Sequence, residues 1–485
     1  MEKYGKNNVI IGLFWRFMER FGAQLVSLVV SIILARILDP TVYGTVALVT
    51  ILVGIMQVFV DGGLGNALIQ KKDVDHLDFS TVFYTNIVFC SLIYFLIYIS
   101  APVLSRFYNN MELVPIIRVL GITILISGLK NVQQAYVSKH MLFKKFFFST
   151  LGGTILAAII GITVAYFGGG VWALVLQQVV NLTVDTIILW FTVDWKPKLE
   201  FSFKRLKELY SYGWKLLVSA LLEKVYTNIY QLVIGKVYST QDLAYYNKAD
   251  QFPNLIVMNI NTSIDSVLLP AMSEQQDSKE SVKRLTRRAI MTSMYIMSPI
   301  MIGFACIAEE FISIVLTDKW LPAVPFLQVF CVVYMFYPIH TSNLNAIKAV
   351  GRSDVFLRLE IIKKIIGILL LLISVRMGVM AMAFSLLVNS LVSQVINAWP
   401  SKSLLDYGFV EQMKDVLPTV LLTIVMVCCI SIVNIIELPA FVSLVIKVVI
   451  GVLVYVVGSV VTKNEVFLYF WEFINNIFKR KRRER

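Results

Sequence analysis

Long apolar runs, each about the length of a membrane-spanning helix, follow one another along almost the whole chain. A helix that crosses the hydrocarbon core of a bilayer needs about 20 predominantly apolar residues. The runs predict fourteen such helices, at 9–36, 42–61, 81–104, 114–137, 147–167, 171–192, 209–235, 247–271, 289–316, 323–347, 357–376, 379–399, 416–436 and 439–461. Only short polar segments separate them. The pattern therefore predicts an all-α integral membrane protein.

The distribution of charge indicates the orientation of the helices. Of the 485 residues, 58% are hydrophobic and 15% are charged, and the mean hydropathy is +0.75, which is more apolar surface than a soluble domain can bury. With fourteen spans, the segments on the side of both termini carry 29 Lys and Arg, and the opposite loops carry five. Lys and Arg accumulate in cytoplasmic loops. Both termini are therefore expected in the cytoplasm.

Several kinds of chemistry find no support in the sequence. There is no phosphate-binding glycine loop, zinc motif or nucleophile elbow, so we expect no catalytic residue, no metal site and no cofactor. The five cysteines lie in predicted helices, and we expect no disulfide. The basic run 479–483 follows Trp471 at a membrane exit, which favours anionic lipid headgroups over nucleic acid as its partner.

Two stretches about 200 residues apart match one another. In the first, Trp15-Arg16 opens an apolar run that closes at Ala35-Arg36; in the second, Trp214-Lys215 opens a run that closes at Gly235-Lys236. Six helices per copy is an even number, so both copies insert in the same orientation, related by a pseudo-twofold axis along the membrane normal. The predicted division is an N-lobe at 1–195, a C-lobe at 196–400, a final helix pair at 401–463 and a basic cytoplasmic tail at 464–485.

The same residues carry a resemblance to a known family. The segments concerned are Gly12 to Arg16, Ala35 to Pro40 with Tyr43-Gly44, Asp61 to Gln70, Tyr212 to Lys215, and Ile234 to Lys236 with Tyr245-Tyr246, Pro253, Leu269-Pro270 and Ser273. Together they resemble the Wzx-type polysaccharide flippases of the multidrug/oligosaccharidyl-lipid/polysaccharide exporter superfamily. The second copy departs from the first, with Thr240 in place of Pro40 and Asn261-Thr262-Ser263 in place of Asp61-Gly62-Gly63.

This resemblance implies a fold and a function. It implies a two-lobed, V-shaped bundle with a cationic central cavity in the bacterial cytoplasmic membrane. The implied activity is translocation of undecaprenyl-diphosphate-linked oligosaccharide from the cytoplasmic to the outer leaflet, coupled to a proton or sodium gradient. The expected partners are this lipid-linked substrate, membrane lipids and the machinery of polysaccharide assembly.

Cations inside the predicted helices are candidates for binding a diphosphate headgroup. Arg16 and Arg20 lie on one helix face, and guanidinium groups suit phosphate oxygens, although both residues are also placed to snorkel to the interface or to pair with Glu19. Lys215 is the repeat mate of Arg16. Lys130 and Lys224 lie near the middle of their helices, and one of them is expected to face an acid such as Glu19.

Acids and tyrosines inside the helices suggest two further roles. The acids Glu19, Asp61, Asp185, Glu223 and Asp265 are candidates for ion coupling. Asp185 and Asp265 are preferred because neither has a cation close to it in sequence, and a buried carboxylate without a counter-ion favours its protonated form. Tyr226 and Tyr230 are candidates for stacking on sugars, although tyrosine also populates bilayer interfaces.

Other functions remain as alternatives. A multidrug exporter of the same superfamily would favour an acidic cavity for cationic drugs, whereas this sequence predicts a basic one. A peptidoglycan-precursor exporter would share the diphosphate headgroup. A membrane glycosyltransferase or polymerase usually has a larger outer loop with catalytic side chains than any segment found here.

Overall fold

The computed structural model describes residues 6–61, 63–472 and 475, and within this part the chain forms helices and no strand. The helices are α1 (Lys6–Ile37), α2 (Pro40–Asp61), α3 (Leu64–Gln70), α4 (His76–Phe107), α5 (Leu113–Lys139), α6 (Phe143–Tyr166), α7 (Val171–Thr192), α8 (Phe203–Val237), α9 (Thr240–Glu274), α10 (Lys279–Cys306), α11 (Ala308–Val315), α12 (Val324–Met335), α13 (Tyr337–Ala349), α14 (Ser353–Ser374), α15 (Val379–Leu405), α16 (Phe409–Val433) and α17 (Ala440–Val461). A 3₁₀ helix, Asp318–Ala323, precedes α12. The predicted all-α class is confirmed. The basic run 479–483 and the side chain of Asp61 lie outside the described residues.

Twelve helical segments of the described chain are long and apolar enough to cross a bilayer, and each coincides with a predicted span. The other two predicted spans, 209–235 and 357–376, fall on α8 and α14. Both are helical, but neither contains a stretch that is both as apolar and as poor in charged residues as those in the other twelve; α8, for example, carries Lys215, Glu223 and Lys224. The prediction of a fold with many membrane-spanning helices is therefore confirmed, whereas the count of fourteen spans stays a prediction.

The helix boundaries agree with the internal repeat. Helix α1 ends at Ile37 and α8 at Val237, and α2 begins at Pro40 and α9 at Thr240, so the offset is 200 residues at both junctions. The copies then diverge, because α2 ends at Asp61 whereas α9 continues to Glu274. Glycine is a poor helix former, and the first copy has Gly62-Gly63 where the second has Thr262-Ser263. The short helix α3, which the sequence analysis did not predict, follows this interruption.

Two compact units make up the chain, residues 1–244 and 245–485. The first contains α1 to α8 and the beginning of α9, and the second contains the rest. This division by contacts falls after the eighth helix rather than at residue 195. The predicted lobe boundaries were drawn from the sequence repeat, which the division by contacts does not test. They therefore stay predictions.

A polar clamp near the start of α4 joins that helix to α8 in the first unit. Asp75 caps α4 by accepting a hydrogen bond from the backbone N–H of Asp78, and this bond lowers the pKa of the Asp75 carboxyl. Arg205 of α8 lies 3.2 Å from Asp75, and Lys71 lies 2.7 Å from the buried Asp78. Beside the clamp, the aromatic side chains of Phe79, Phe83 and Trp195 pack together. The clamp fixes the N-terminal end of α8 against α4.

The junction between α2 and the start of α9 supplies a test of the packing. A Cβ atom on Gly44 would lie 1.6 Å from the carbonyl oxygen of Thr240. We expect Gly44→Ala to force these segments apart and to lower the free energy of unfolding by roughly 1–3 kcal/mol or more. Thermal melting of the purified protein measures this. Gly303→Ala is the matched control, since its Cβ would meet only Met426 Cε, at 3.7 Å. Equal melting temperatures for native protein and Gly44→Ala would contradict this account of the junction.

Candidate functional site

A polar cavity of about 450 Å³ lies among α2, α5, α6 and α7 in the first unit. Its polar lining consists of Thr50 and Gln57 from α2, Thr123, Ser127, Lys130 and Gln134 from α5, Thr150 from α6, and Gln178, Asn181 and Asp185 from α7. Hydroxyl, amide and charged groups are costly in hydrocarbon and are kept inside membrane helices mainly where they serve a function. The cavity is therefore the leading candidate for binding a polar ligand in this unit.

An ion pair lies in the wall of the cavity. The ammonium of Lys130 donates a hydrogen bond of 2.5 Å to Oδ2 of Asp185, and the two side chains are only 11% and 9% exposed. Asp185 has no cation close to it in sequence, but it has one in space, and the partner of Lys130 is Asp185 rather than Glu19. The two residues are 55 positions apart on different helices, so their spacing in the sequence gave no sign of the pairing.

Close packing of two helices places Asp185 in this wall. A Cβ atom on Gly153 of α6 would lie 2.7 Å from the backbone oxygen of Asn181 and 3.1 Å from Cβ of Asp185. A side chain at position 153 would therefore separate α6 from α7. Small residues commonly allow membrane helices to approach this closely. Gly153 thus sets the position of the acid relative to Lys130.

Hydrogen-bonding groups in the cavity remain available to a ligand. Within the described part of the chain, Oδ1 of Asp185 is buried and has no hydrogen-bond partner. The side-chain amides of Gln134 and Asn181 also have none among the described residues, whereas Gln178 contacts the hydroxyl of Thr50 at 3.2 Å. Buried polar atoms are normally paired. The unpaired carboxylate oxygen of Asp185 and two half-buried amides around one space indicate a site for a ligand rich in polar groups.

Lys224 lies against the outside of this cavity. Its side chain on α8 is exposed, and a Cβ atom on the cavity residue Gly54 would lie 3.6 Å from Cε of Lys224. Because position 54 has no side chain, the side chain of Lys224 can lie directly against the wall of the cavity. Of the predicted headgroup ligands, Lys130 therefore lines the cavity and Lys224 borders it.

Arg16 and Glu19 form a second ion pair, on α1. The guanidinium lies 2.6 Å from Glu19 and also contacts the ring of Phe146, 5.2 Å from its centroid. Glu19 is buried and accepts a 3.4 Å hydrogen bond from the cavity residue Thr150. Arg20 is exposed. Arg16 therefore pairs with Glu19, the alternative that the sequence had left open. A role for Arg16 in headgroup binding stays a prediction.

The other predicted residues do not line the cavity. Lys215 and Glu223 are exposed, Tyr226 is half-buried, and Tyr230 is 7% exposed, which leaves little of its ring for stacking on a sugar. Asp265, in the second unit, is exposed and accepts a 2.7 Å hydrogen bond from the amide of Asn345. Their proposed roles in binding and ion coupling stay predictions.

The sequence analysis assigned no role to Asp250, which has a defined environment in the second unit. It accepts hydrogen bonds from the hydroxyl of Tyr334 at 2.6 Å and from the amide of Asn254 at 3.4 Å. Its place within the predicted span 247–271 was a signal that it belongs among the intramembrane acids. The cavity amides were also missed, because uncharged Gln and Asn do not stand out in a search for charges.

The buried ion pair supplies a stability test. Removing one member of such a pair leaves an unpaired charge and typically costs roughly 3–5 kcal/mol, whereas replacing both by apolar residues is often neutral. We expect Lys130→Met or Asp185→Leu alone to lower the melting temperature markedly, and the double variant to recover most of the loss. Thermal melting in detergent measures this. Single variants as stable as the native protein would show that water, rather than the partner, solvates these groups.

Comparisons with known proteins agree with this architecture. The model of the polysaccharide biosynthesis protein family matches residues 33–325. The chain is 29% identical over 304 residues to the teichuronic acid biosynthesis protein TuaB of Bacillus subtilis (strain 168), over 61% of this chain and 62% of that protein. It is 23% identical over 394 residues to the lipopolysaccharide biosynthesis protein WzxC of Escherichia coli (strain K12), over 81% of this chain and 80% of that protein.

A solved structure shows the same fold. The lipid II flippase MurJ, in an inward closed conformation, superimposes with a TM-score of 0.74 at 15% identity, over 93% of this chain and 98% of that chain. The family match covers more than half of the chain, and the resemblance to Wzx-type members of the multidrug/oligosaccharidyl-lipid/polysaccharide exporter superfamily is confirmed. The chain belongs to the polysaccharide biosynthesis protein family.

Proposed function

We propose that the protein is a flippase that moves undecaprenyl-diphosphate-linked oligosaccharide units from the cytoplasmic to the outer leaflet of the bacterial inner membrane. It would do so by alternating access, for the synthesis of a surface polysaccharide. The observation that carries this proposal is the polar cavity, in which a lysine and several amides face one space among membrane helices. Family membership supports the link to polysaccharide.

The ligand's headgroup explains why such a cavity is needed. Moving an isolated charge into hydrocarbon costs many kcal/mol, and this headgroup carries two phosphates as well as several sugars. The protein must replace their hydration with its own donors. Lys130 supplies an ammonium for phosphate oxygens, while amides such as Gln134 and Asn181 match sugar hydroxyls as both donors and acceptors.

In the proposed binding step, the diphosphate headgroup competes with Asp185 for Lys130. Without ligand, the carboxylate neutralises the lysine and removes the cost of an unpaired buried cation. A diphosphate that enters the cavity competes with Asp185 for the three donors of the ammonium. Binding then exchanges one anionic partner for another. This exchange gives Asp185 the role of a counter-ion for the empty cavity, which differs from the role of a free proton carrier.

Ion coupling remains a separate element of the proposal. Two negative charges that move outward across an inside-negative potential of about 100 mV gain roughly 4.6 kcal/mol, so the potential itself favours export. A proton or sodium ion would then serve to reset the empty carrier. Asp265 suits that task better than Asp185, because its partner in the structure is the neutral amide of Asn345.

Export of a peptidoglycan precursor is the second candidate, favoured by the structural likeness to a lipid II flippase. Both substrates carry a diphosphate on a polyprenyl chain, so the cavity suits either. The family match to polysaccharide biosynthesis proteins favours a saccharide-bearing substrate over the cationic drugs of a multidrug exporter, and it does not by itself favour a glycosyltransferase or polymerase.

Flipping in proteoliposomes tests the proposal. We expect the native protein to translocate a fluorescent undecaprenyl-diphosphate oligosaccharide. The double variant Lys130→Gln/Asp185→Asn should translocate it roughly 10- to 100-fold more slowly, because it loses a charge-assisted hydrogen bond worth about 1.5–3 kcal/mol. Since the variant leaves no unpaired charge, its folding is expected to be preserved, and melting temperatures check this.

Lys72→Gln is the matched control, since it removes an exposed lysine outside the cavity and should flip at the native rate. Native-rate flipping by the double variant would exclude Lys130 as the headgroup ligand. Translocation of fluorescent lipid II in preference to the oligosaccharide would support the second candidate. Efflux of a cationic dye without flipping of either lipid would overturn both.

A further inference from the structure

A further helical segment follows α17 in the second unit. Lys463 adopts a left-handed backbone conformation, with φ of 50°, and turns the chain after α17. Asn464 then caps a new helix, because its side-chain oxygen accepts hydrogen bonds from the backbone N–H of Val466 at 3.0 Å and of Phe467 at 3.4 Å. Residues 465–472 are helical and are termed here the terminal helix. The sequence analysis predicted only a basic tail in this region.

Contacts with α10 and α16 hold the terminal helix against the second unit. The guanidinium of Arg287 on α10 donates hydrogen bonds of 2.9 and 3.0 Å to Asp415 of α16, and it lies 3.5 Å from Glu465 at the start of the terminal helix. The neighbouring guanidinium of Arg288 lies over the ring of Tyr469, 4.1 Å from its centroid. The N-terminal parts of α10 and α16 are therefore joined to the terminal helix.

The terminal helix packs one side on the protein and exposes apolar residues on another. Val466 is 6% exposed, whereas Leu468 and Trp471, three positions apart and hence neighbours on the helix surface, are 44% and 56% exposed. In the sequence that follows, apolar residues recur at 474 and 478, which continues the spacing of one helix face from Trp471. Helices that lie in a membrane interface expose such a face, with Trp and Leu on it and cations beside it.

Unpaired cations lie next to the terminal helix. Arg284 lies one turn before Arg288 on the same face of α10, and Lys463 directly precedes the cap residue Asn464. The side chains of Arg284 and Lys463 are exposed, and neither has an ion-pair or hydrogen-bond partner among the described residues. In the sequence, five more Lys and Arg follow at 479–483. Clusters of cations beside a membrane helix bind the anionic lipids of the cytoplasmic leaflet.

The position of the terminal helix limits what can occupy this surface. Three residues separate it from α17, so it begins within roughly 14 Å of the end of a membrane-spanning helix. The cations match phosphate groups, and the exposed Leu468 and Trp471 match the boundary between headgroups and acyl chains. A nucleic acid would pair with the cations but leave the apolar side chains in water. Anionic phospholipid satisfies both halves of the surface.

We propose that the terminal helix lies on the cytoplasmic surface of the bilayer and binds anionic phospholipid there. Arg284 and Lys463 bind the phosphate groups, while Leu468 and Trp471 enter the region between headgroups and acyl chains. Because Arg287 joins the terminal helix to α10 and α16, the lipid composition of the leaflet acts on this end of the second unit. The inference does not depend on the proposed substrate, since it concerns a different unit of the chain from the polar cavity.

Hydrogen–deuterium exchange of the full-length protein in nanodiscs tests this proposal. We expect the backbone amides of residues 466–472 to exchange roughly tenfold more slowly in nanodiscs that contain phosphatidylglycerol than in nanodiscs of phosphatidylcholine alone, because the anionic surface holds the terminal helix in place. The double variant Arg284→Gln/Lys463→Gln should lose most of this slowing. The matched control is Lys72→Gln/Lys204→Gln, which removes two exposed lysines of the first unit and should respond to phosphatidylglycerol like the native protein.

A second variant tests the apolar half of the surface. Leu468→Ser/Trp471→Ser keeps every cation, and we expect it to lose most of the slowing as well, because the helix then has no exposed apolar side chain to place in the interface. Melting temperatures in phosphatidylcholine nanodiscs check that all variants are folded.

Equal exchange of the native protein in the two kinds of nanodisc would overturn the proposal, as would equal responses of the two lysine and arginine double variants. Full slowing in Leu468→Ser/Trp471→Ser would also overturn it, since charge alone would then account for the effect. A slowing that follows the number of protein copies in each nanodisc rather than phosphatidylglycerol would assign the surface to a second copy of the chain. None of these results changes the expected flipping, so the two proposals fail separately.

Discussion

The cost of holding a charge among membrane helices governs the arrangement of the first unit. A lysine in the middle of α5 is tolerated because an aspartate on α7 lies 2.5 Å away and neutralises it. That pairing requires α7 to be held at a fixed distance from α5, and α6 in turn packs closely on α7 through Gly153. The ion pair therefore depends on the packing of α6 and α7, and the cavity depends on both, because the pair forms part of its wall.

This dependence links stability to the proposed transport. A site that binds a diphosphate needs a cation, and an unoccupied cation needs a counter-ion, so the acid that stabilises the empty protein also competes with the substrate. The competition weakens binding, which suits a carrier, because a site that held its ligand too tightly would not release it. A second cation beside the cavity, Lys224, is exposed and can approach a ligand without giving up a buried partner.

Glycine has three separate tasks in this unit. Gly63 precedes the short helix α3, Gly213 brings α8 against Gly63, and Gly44 makes room for the backbone of Thr240. The second copy of the repeat has Ser263 in place of Gly63, and there α9 continues unbroken. The two copies therefore share helix junctions but differ locally, since in the part of the chain that the structure describes α2 ends at Asp61 whereas α9 continues to Glu274.

The sequence by itself determined the features that depend on local composition and periodicity. Apolar length predicted the spans, matching residues 200 apart predicted the shared junctions after Ile37 and Val237, and the motif residues indicated the family. The tertiary structure decided which distant side chains meet. Charge inside the predicted helices identified Lys130 and Asp185 one by one, but they are 55 residues apart and the amides that complete their cavity are uncharged, so the sequence revealed neither their pairing nor the full site. Helix rotation and close packing at glycine placed them together, because those depend on contacts between helices rather than on the sequence within any one helix.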